Sequence, residues 1–502
     1  MNQLGSFITE YLVSIQGYYI RQVLAVCVLF AFGAVLTDCI LKKNTSIIIR
    51  SVLAFPVGLC AFIITAYAMI VAAIPFTGLS ICAALVLETV AAVVIRRKAF
   101  LGISCSMAGH MAIVSAVALA AALVACSGML PVAISNDTMY YFKRYPESIV
   151  FYGGLRDQFD CWLTDTGLGS VVIDTLPSLF GFGETFGIRE FFHIDFVAFF
   201  GTCVWERANK YFDKRGAVIA TATSVVFLVT ATPFLILGHW ALANMYFMEL
   251  FFMAAYTVYD NDEMLEAGSI LLVALSLLRI EGTIFVVWLA LCIAIKAKRN
   301  RSLAGFVLIP MIILFGGYCV RIFTQFYIYD NIYLFLTPVK AAFLVLAIAG
   351  AAVYIAFVQE RLPARLQQNL PWVYIGGLVL GNVLLFIRNS ELYIGDLKAF
   401  AANLFRQSGW GMFPYFVISM TAVLVVEYVL LRKKQKTDTD DFDTFSIVLT
   451  AGFLLLTFIA SFGRGDVLGE NIGDSGNRVM LQILPLVVMT YTSLFMRLAR
   501  AK

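Results

Sequence analysis

The sequence predicts an all-α protein, a polytopic bundle of about 13–15 membrane-crossing helices with one long outer loop early in the chain. Three observations predict it. Of the 502 residues 61% are apolar or aromatic and only 14% are charged, and mean hydropathy is +0.88. Water-soluble domains carry roughly 45–50% apolar and about 25% charged residues, because they must cover their surface with polar groups. The apolar residues also stand in long runs, without the alternating segments of a barrel, so helices must satisfy the backbone in lipid. Finally, basic residues gather at alternate breaks between those runs.

The runs, taken in order, are Tyr19–Leu41, Ile47–Ala73, Leu79–Ile95 and Met111–Ile134. After the long loop come Phe191–Val204, Ala217–Leu237 and Ala241–Val258. The stretch Gly268–Ile295 is broken at Arg279-Ile280-Glu281-Gly282 and is expected to form two short helices or a re-entrant pair. Leu303–Val320, Val339–Val358, Trp372–Ile387, Met412–Leu431, Phe445–Phe462 and Val479–Met496 complete the set. Residues 1–110 thus form an N-terminal membrane extension and 111–502 the main domain. Met1–Tyr19 lacks a basic leader region and is expected to be a short interfacial helix.

Most of the 36 Lys and Arg fall in seven groups, around Lys42, Arg96, Arg207, Lys296, Arg361, Arg432 and Arg497. Basic residues favour the cytoplasmic side, so the C-terminus is expected in the cytoplasm and the site outside, in a bacterial plasma membrane. The net charge of +4 gives no reason to expect a nucleic-acid partner. Cysteines lie mostly within apolar runs, where they act as small hydrophobes. Asp38 and Glu88 are expected to snorkel at span ends. The many Phe and Tyr are expected to face lipid and the interfacial belts.

The outer loop Ser135–Glu190 is the longest polar segment, and long loops are disproportionately functional. It opens Ser135-Asn136-Asp137 directly after a span, where partial desolvation suits a carboxylate to general-base work. It continues through Asp157-Gln158-Phe159-Asp160 to Asp165-Thr166-Gly167-Leu168, and ends Phe182-Gly183-Glu184-Thr185-Phe186-Gly187-Ile188-Arg189. A second outer loop, Arg388–Gly411, shows helical spacing of Leu397, Phe400, Leu404 and Phe405 and is expected to lie flat on the membrane. A third, Gly463–Arg478, is rich in glycine and charge. Arg279 and Glu281 are candidates to pair with each other. His193 and Asp195 start a span and His239 ends one, so each is expected to be interfacial or hydrogen-bonded packing rather than a metal ligand; the three histidines are too dispersed for a zinc motif.

These pieces, in this order, resemble the GT-C superfamily of polytopic glycosyltransferases, which includes the dolichyl-phosphate-mannose protein mannosyltransferases. Asp137 matches the family's first-loop catalytic acid, and Asp165 the acid ahead of its Pro-Pro-Leu segment, here Thr166-Gly167-Leu168. Arg189 matches the arginine that opens the next span. Ala231-Thr232-Pro233-Phe234 with His239, Asn244 and Glu249 is similar to the second outer loop and the helix after it, without the acid often found there. Arg279-Ile280-Glu281-Gly282 resembles the family's R-x-E-G break. Arg478 to Pro485 is similar to the opening of a late span. The match covers roughly residues 134–301 and 463–496, and four spans precede the catalytic loop where the family has one.

The resemblance implies sugar transfer from a polyprenyl-phosphate donor to a glycan, lipid or protein acceptor, by an inverting displacement. Asp137 would be the general base, and Asp165 would position the sugar or, as in metal-dependent members, hold a divalent ion. Arg478 would take the phosphate, since a guanidinium fork donates two hydrogen bonds at once. Arg464, Arg189, His239, Asn244, Arg279 and Glu281 complete the expected substrate-binding set. The competing readings are a transporter or flippase of lipid-linked sugars, a polysaccharide polymerase or ligase, and a non-catalytic membrane scaffold. A transporter would carry paired broken helices and acids near mid-bilayer; a polymerase, a large arginine-rich loop late in the chain.

Overall fold

The computed structural model describes residues 26–41, 45–96, 144–156, 167–180, 186–232, 234–235, 243–260, 264–295, 299–326, 336–405, 410–432, 441–462 and 479–500. All regular structure among them is helical. In order the helices are α1 (Val26–Ile40), α2 (Ile47–Val71), α3 (Gly78–Ile95), and three short ones from the long loop, α4 (Tyr145–Tyr152), α5 (Leu168–Ile173) and α6 (Thr175–Phe180). Then follow α7 (Phe186–Tyr211), α8 (Lys214–Val229), α9 (Ala243–Asp260), α10 (Leu265–Leu278) and α11 (Ile280–Ala294). The last seven are α12 (Asn300–Gln325), α13 (Pro338–Arg361), α14 (Ala364–Arg388), α15 (Ser390–Phe405), α16 (Phe413–Arg432), α17 (Asp441–Ala460) and α18 (Leu484–Arg500). Six stretches among the described residues are long and apolar enough to cross a membrane, in α2, α3, α12, α13, α14 and α17. The protein is a polytopic helical membrane bundle.

Burial sorts these helices into a centre and a lipid-facing rim. The apolar window of α2 is 78% buried, while those of α3 and α14 are only 6% and 11% buried. Small residues let α1 meet α2 closely. A Cβ on Gly58 would lie 2.1 Å from the Leu29 carbonyl oxygen, and one on Gly33 would lie 1.8 Å from that of Ala54. Close backbone approach of this kind takes the place of hydrophobic driving force between helices in lipid.

Two expectations about side chains are corrected. Asp38 does not snorkel: it is fully buried and pairs with Arg50 Nη1 at 3.1 Å. Glu88, half-buried, accepts a hydrogen bond from Thr65 on α2 at 2.5 Å. The aromatics are not chiefly lipid-facing either. Phe192, Phe196, Phe199 and Phe200 of α7 are buried and pack on Tyr246, Phe252 and Tyr256 of α9 at ring separations of 5.3–6.3 Å. Phe285 stacks on Phe453 at 4.1 Å. Aromatic edges and faces attract one another, and that gain survives in lipid, where burial alone gives none.

The broken stretch forms a hairpin. Helix α10 ends at Leu278, Arg279 is extended (φ −143°, ψ 154°), and α11 begins at Ile280. At the other end Arg299 Nη2 pairs with Glu266 Oε1 at 3.2 Å, so the start of α10 and the chain just after α11 lie together. Arg279 is the apex. Beside the hairpin, α7 and α9 run parallel, as residues increasing in number meet in register: Phe192 on Tyr246, Phe196 on Phe252 and Phe199 on Tyr256. The bundle therefore has an apex end, near Arg279, and a base end, near Arg299.

The segment Ser390–Phe405, within the stretch expected to form the second outer loop, is helical as its spacing predicts. Helix α15 crosses the apex ends of its neighbours: Tyr393 donates to Asn382 of α14 at 3.0 Å, Phe400 packs on Phe458 of α17, and the Tyr415 hydroxyl of α16 donates to the Phe405 carbonyl. Its buried stripe is Asp396, Phe400 and Asn403, while Leu397 is 47% exposed.

Candidate functional site

The hairpin apex begins with an accounting problem: the last carbonyls of α10 and the first amides of α11 have no intrahelical partners. Thr283 donates its hydroxyl to the Ser276 carbonyl at 3.4 Å, and the Gly282 amide reaches the Arg279 carbonyl at 3.0 Å. Glu281 stands in the first turn of α11, where the helix dipole favours a carboxylate. Arg279 turns its fork onto it, with Nε and Nη2 reaching Oε1 at 2.6 and 2.5 Å. The pair expected from the sequence is therefore present. Its side chains keep 19% and 28% of their exposure, so it sits at the edge of the buried region.

Two further helices supply the rest. Asn244, at the start of α9, offers Oδ1 to Arg279 Nη1 at 3.4 Å and to Gln482 Nε2 at 3.0 Å. Gln482, just before α18, is 1% exposed and Asn244 is 2% exposed. The amide–amide bond is the shorter of the two and the more completely desolvated, so it carries most of the interaction. Asn244, Arg279 and Glu281, three of the expected binding residues, converge; Gln482 joins them unexpectedly. Its signal in the sequence is a lone amide inside an apolar run.

The long loop returns to the same apex. Gly167 has φ +92°, and a Cβ there would lie 2.8 Å from the Arg279 Cα and 2.9 Å from the Leu278 carbonyl oxygen. Gly169 similarly abuts the Leu277 carbonyl. Only a residue without a side chain permits this backbone path and this approach. Leu168, Val171, Val172 and Ile173 of α5 are then fully buried against the bundle. In sequence Gly167 lies two residues beyond Asp165.

A second polar group lies deeper. On α9, Glu249 follows Asn244 by five residues, and its Oε1 lies 2.5 Å from His193 Nδ1 of α7. Glu249 is fully buried and Asp195, two residues from His193, is 3% exposed. His193 Nε2 and Asp195 Oδ2 have no hydrogen-bond partner among the described residues. Sequence reasoning placed His193 and Asp195 at a span boundary and gave neither a partner. Among the described residues no group of three His, Cys, Asp or Glu could hold a metal ion.

No protein-family model, curated protein or solved structure matches this chain. Asp137, Asp165, His239, Arg464 and Arg478 lie outside the described residues, and Arg189 stands in the first turn of α7.

Proposed function

We propose that the chain is a membrane glycosyltransferase that moves a sugar from a polyprenyl-phosphate donor to an acceptor hydroxyl at the apex end. One observation carries this reading: Gly167, two residues after the candidate acid Asp165, packs on Arg279, while Gln482, four residues after Arg478, bonds Asn244 beside it. Three separate parts of the sequence with the family resemblance thus have their described portions at one polar cluster.

In the chemistry this implies, Asp137 takes the acceptor proton and the acceptor oxygen forms a bond to the anomeric carbon. The bond from that carbon to the phosphate oxygen breaks, polyprenyl phosphate departs and configuration inverts. Arg478, with Arg279, Arg189 and Arg464 as further cations, neutralises the departing phosphate; His239, Asn244 and Glu281 orient the sugar. Developing phosphate charge is the largest electrostatic demand of such a step. The basic-loop pattern puts the apex end outside the cell and the C-terminus in the cytoplasm. An apolar cavity of about 470 Å³ between α8, α16 and α18 offers a course for the lipid tail.

The test uses purified protein in proteoliposomes with a panel of polyprenyl-phosphate hexoses and pentoses, reading release of polyprenyl phosphate. Asp137→Asn is expected to abolish release while leaving the yield of folded protein unchanged; full turnover in that variant would overturn the reading. A transporter of lipid-linked sugars is favoured by one observation, the burial of Asp195 and Glu249 beside His193 within the helices. Charges buried at such depth commonly serve ion-coupled movement. Flipping of intact donor, driven by a proton gradient and without release of polyprenyl phosphate, would select that second reading.

A further inference from the structure

We propose that the apex-side end of α12 holds a binding site for the phosphate of a hydroxylated phospholipid, centred on Arg321 and Gln325. This site goes beyond the glycosyltransferase reading and does not depend on it. Helix α12 starts at Asn300, beside Arg299 at the base end. Arg321 stands 21 positions further on, about 32 Å along the helix at 1.5 Å per residue. The hydrocarbon core is about 30 Å thick. Arg321 is therefore level with the change from hydrocarbon to headgroups on the apex side.

Its neighbours mark the same level. Gln325 follows one turn later on the same face of α12 and donates through Nε2 to the Leu155 carbonyl. Leu155 lies just after α4, whose Phe151 and Tyr152 are 82% and 45% exposed and pack edge to face at 5.0 Å. Exposed aromatics of this kind gather at the headgroup boundary. Tyr318, a turn before Arg321, is buried against Tyr67 of α2 at 5.6 Å and closes the site toward the bundle. Val320, beside Arg321, is 63% exposed, so the site is reached from the lipid.

Arg50, Arg279, Arg299 and Arg497 each face a carboxylate. Arg321 does not: no carboxylate among the described residues pairs with it, and its Nε is buried with no hydrogen-bond partner among them. Gln325 Oε1 is a second buried atom with no such partner. A charge at the end of a span needs a counter-group, and a desolvated donor left unpaired is costly. What completes the pair of atoms is an anion that accepts from Arg321 and carries a donor for Gln325. A phosphodiester oxygen pair matches the guanidinium fork, and a headgroup hydroxyl, as in phosphoglycerol, donates to the amide oxygen. Phosphocholine supplies the first and not the second; diacylglycerol has no phosphate.

Native mass spectrometry of the full-length protein tests this, with dioleoyl phosphatidylglycerol, phosphatidylcholine, diacylglycerol and a polyprenyl phosphate offered in equal amounts. Phosphatidylglycerol is expected to be retained roughly tenfold over phosphatidylcholine, the scale of one charge-assisted hydrogen bond, and diacylglycerol least. Arg321→Gln should abolish the preference. Thermal unfolding in a maltoside detergent guards against a folding defect: without lipid, Arg321→Gln should melt no lower than the native protein, since it loses a charge that has no partner. Added phosphatidylglycerol should then raise the melting temperature of the native protein and not of the variant. Equal retention of phosphatidylglycerol and diacylglycerol, an equal lipid-induced shift in both proteins, or a variant that melts lower without lipid would overturn the proposal. Polyprenyl phosphate displacing phosphatidylglycerol would also overturn it, by giving the site to a donor lipid, whereas loss of the site altogether leaves the sugar-transfer reading untouched.

Discussion

Replacing Asn244 by leucine isolates the bond that ties α9 to the start of α18. The substitution keeps the branched shape and removes the Oδ1 acceptor together with the amide donors. Gln482 Nε2, donating at 3.0 Å from a residue 1% exposed, is left without it, and an orphaned buried donor costs about 1–3 kcal/mol. The Arg279 bond at 3.4 Å is at the limit of hydrogen bonding, and Arg279 keeps Glu281, so its loss adds little. The total expected is about 2 kcal/mol. Gln482→Leu should cost less, since it also removes Gln482 Oε1, a buried atom with no hydrogen-bond partner among the described residues. The double leucine variant should recover most of the loss, because removing both partners together is nearly neutral. Equilibrium unfolding in mixed micelles measures all three, with an expected coupling of about 2 kcal/mol. Losses that add to within about 0.5 kcal/mol in the double variant would refute the bond as an energetic link.

Three further outcomes follow from the same geometry. Asp38→Asn removes the carboxylate that pairs with the buried guanidinium of Arg50 and should cost about 3–5 kcal/mol in the same unfolding assay; Asp38→Leu with Arg50→Leu should restore most of it, and equal losses would exclude an energetic pair. Gly58→Leu drives a side chain into the Leu29 carbonyl and should abolish the monodisperse peak in size-exclusion chromatography. Gly305→Ala, where a Cβ meets nothing within 4 Å, should leave that peak unchanged. Cysteines placed singly at Glu266 and Arg299 should react with a membrane-impermeant maleimide from the same side of the membrane; labelling from opposite sides would show that α10 and α11 together make one crossing.

The helices were legible because a span is a local, continuous signal: α2 and α3 are uninterrupted apolar runs, and Arg279-Ile280-Glu281 marks a break because charge within such a run needs an exit or a partner. What lay beyond local reading was which side of a helix meets lipid. In water, apolar means inward; in a bilayer Phe196, fully buried, and Val339, 81% exposed, are equally apolar, so hydropathy cannot separate core aromatics from lipid-facing residues. Partnership was equally hidden. Gln482 lies 238 positions from Asn244, and Ser493 lies 286 positions from the Arg207 that donates to it. A polar residue in an apolar run announces that a partner exists without saying which one. The nearest-neighbour pair, Arg279 with Glu281, was the readable one because it needed no tertiary information.

The length of the hairpin adds a constraint on any chemistry at its apex. Helix α10 has 14 residues and α11 has 15, so each arm rises about 21–22 Å at 1.5 Å per residue. The hydrocarbon core is about 30 Å thick. With Glu266 and Arg299 at the base-side boundary, the Arg279–Glu281 pair stands several ångströms below the opposite surface. A charged pair at that depth must be served by protein or by a water-filled recess. Protein covers part of it: Gly167 and Gly169 press on Leu277–Arg279, and α5 behind them is buried to the last side chain. The loop is thus a roof over the apex as well as the carrier of the candidate acids. On the glycosyltransferase reading, a lipid-linked donor then has two ways in, laterally between helices or through displacement of the 167–173 roof. Gly167→Ala separates them, since it strains the positive-φ turn and should open the roof. Turnover that becomes faster with a water-soluble acceptor and unchanged with a lipid-borne one would mark the roof as the acceptor's gate, leaving the donor to come from the membrane side.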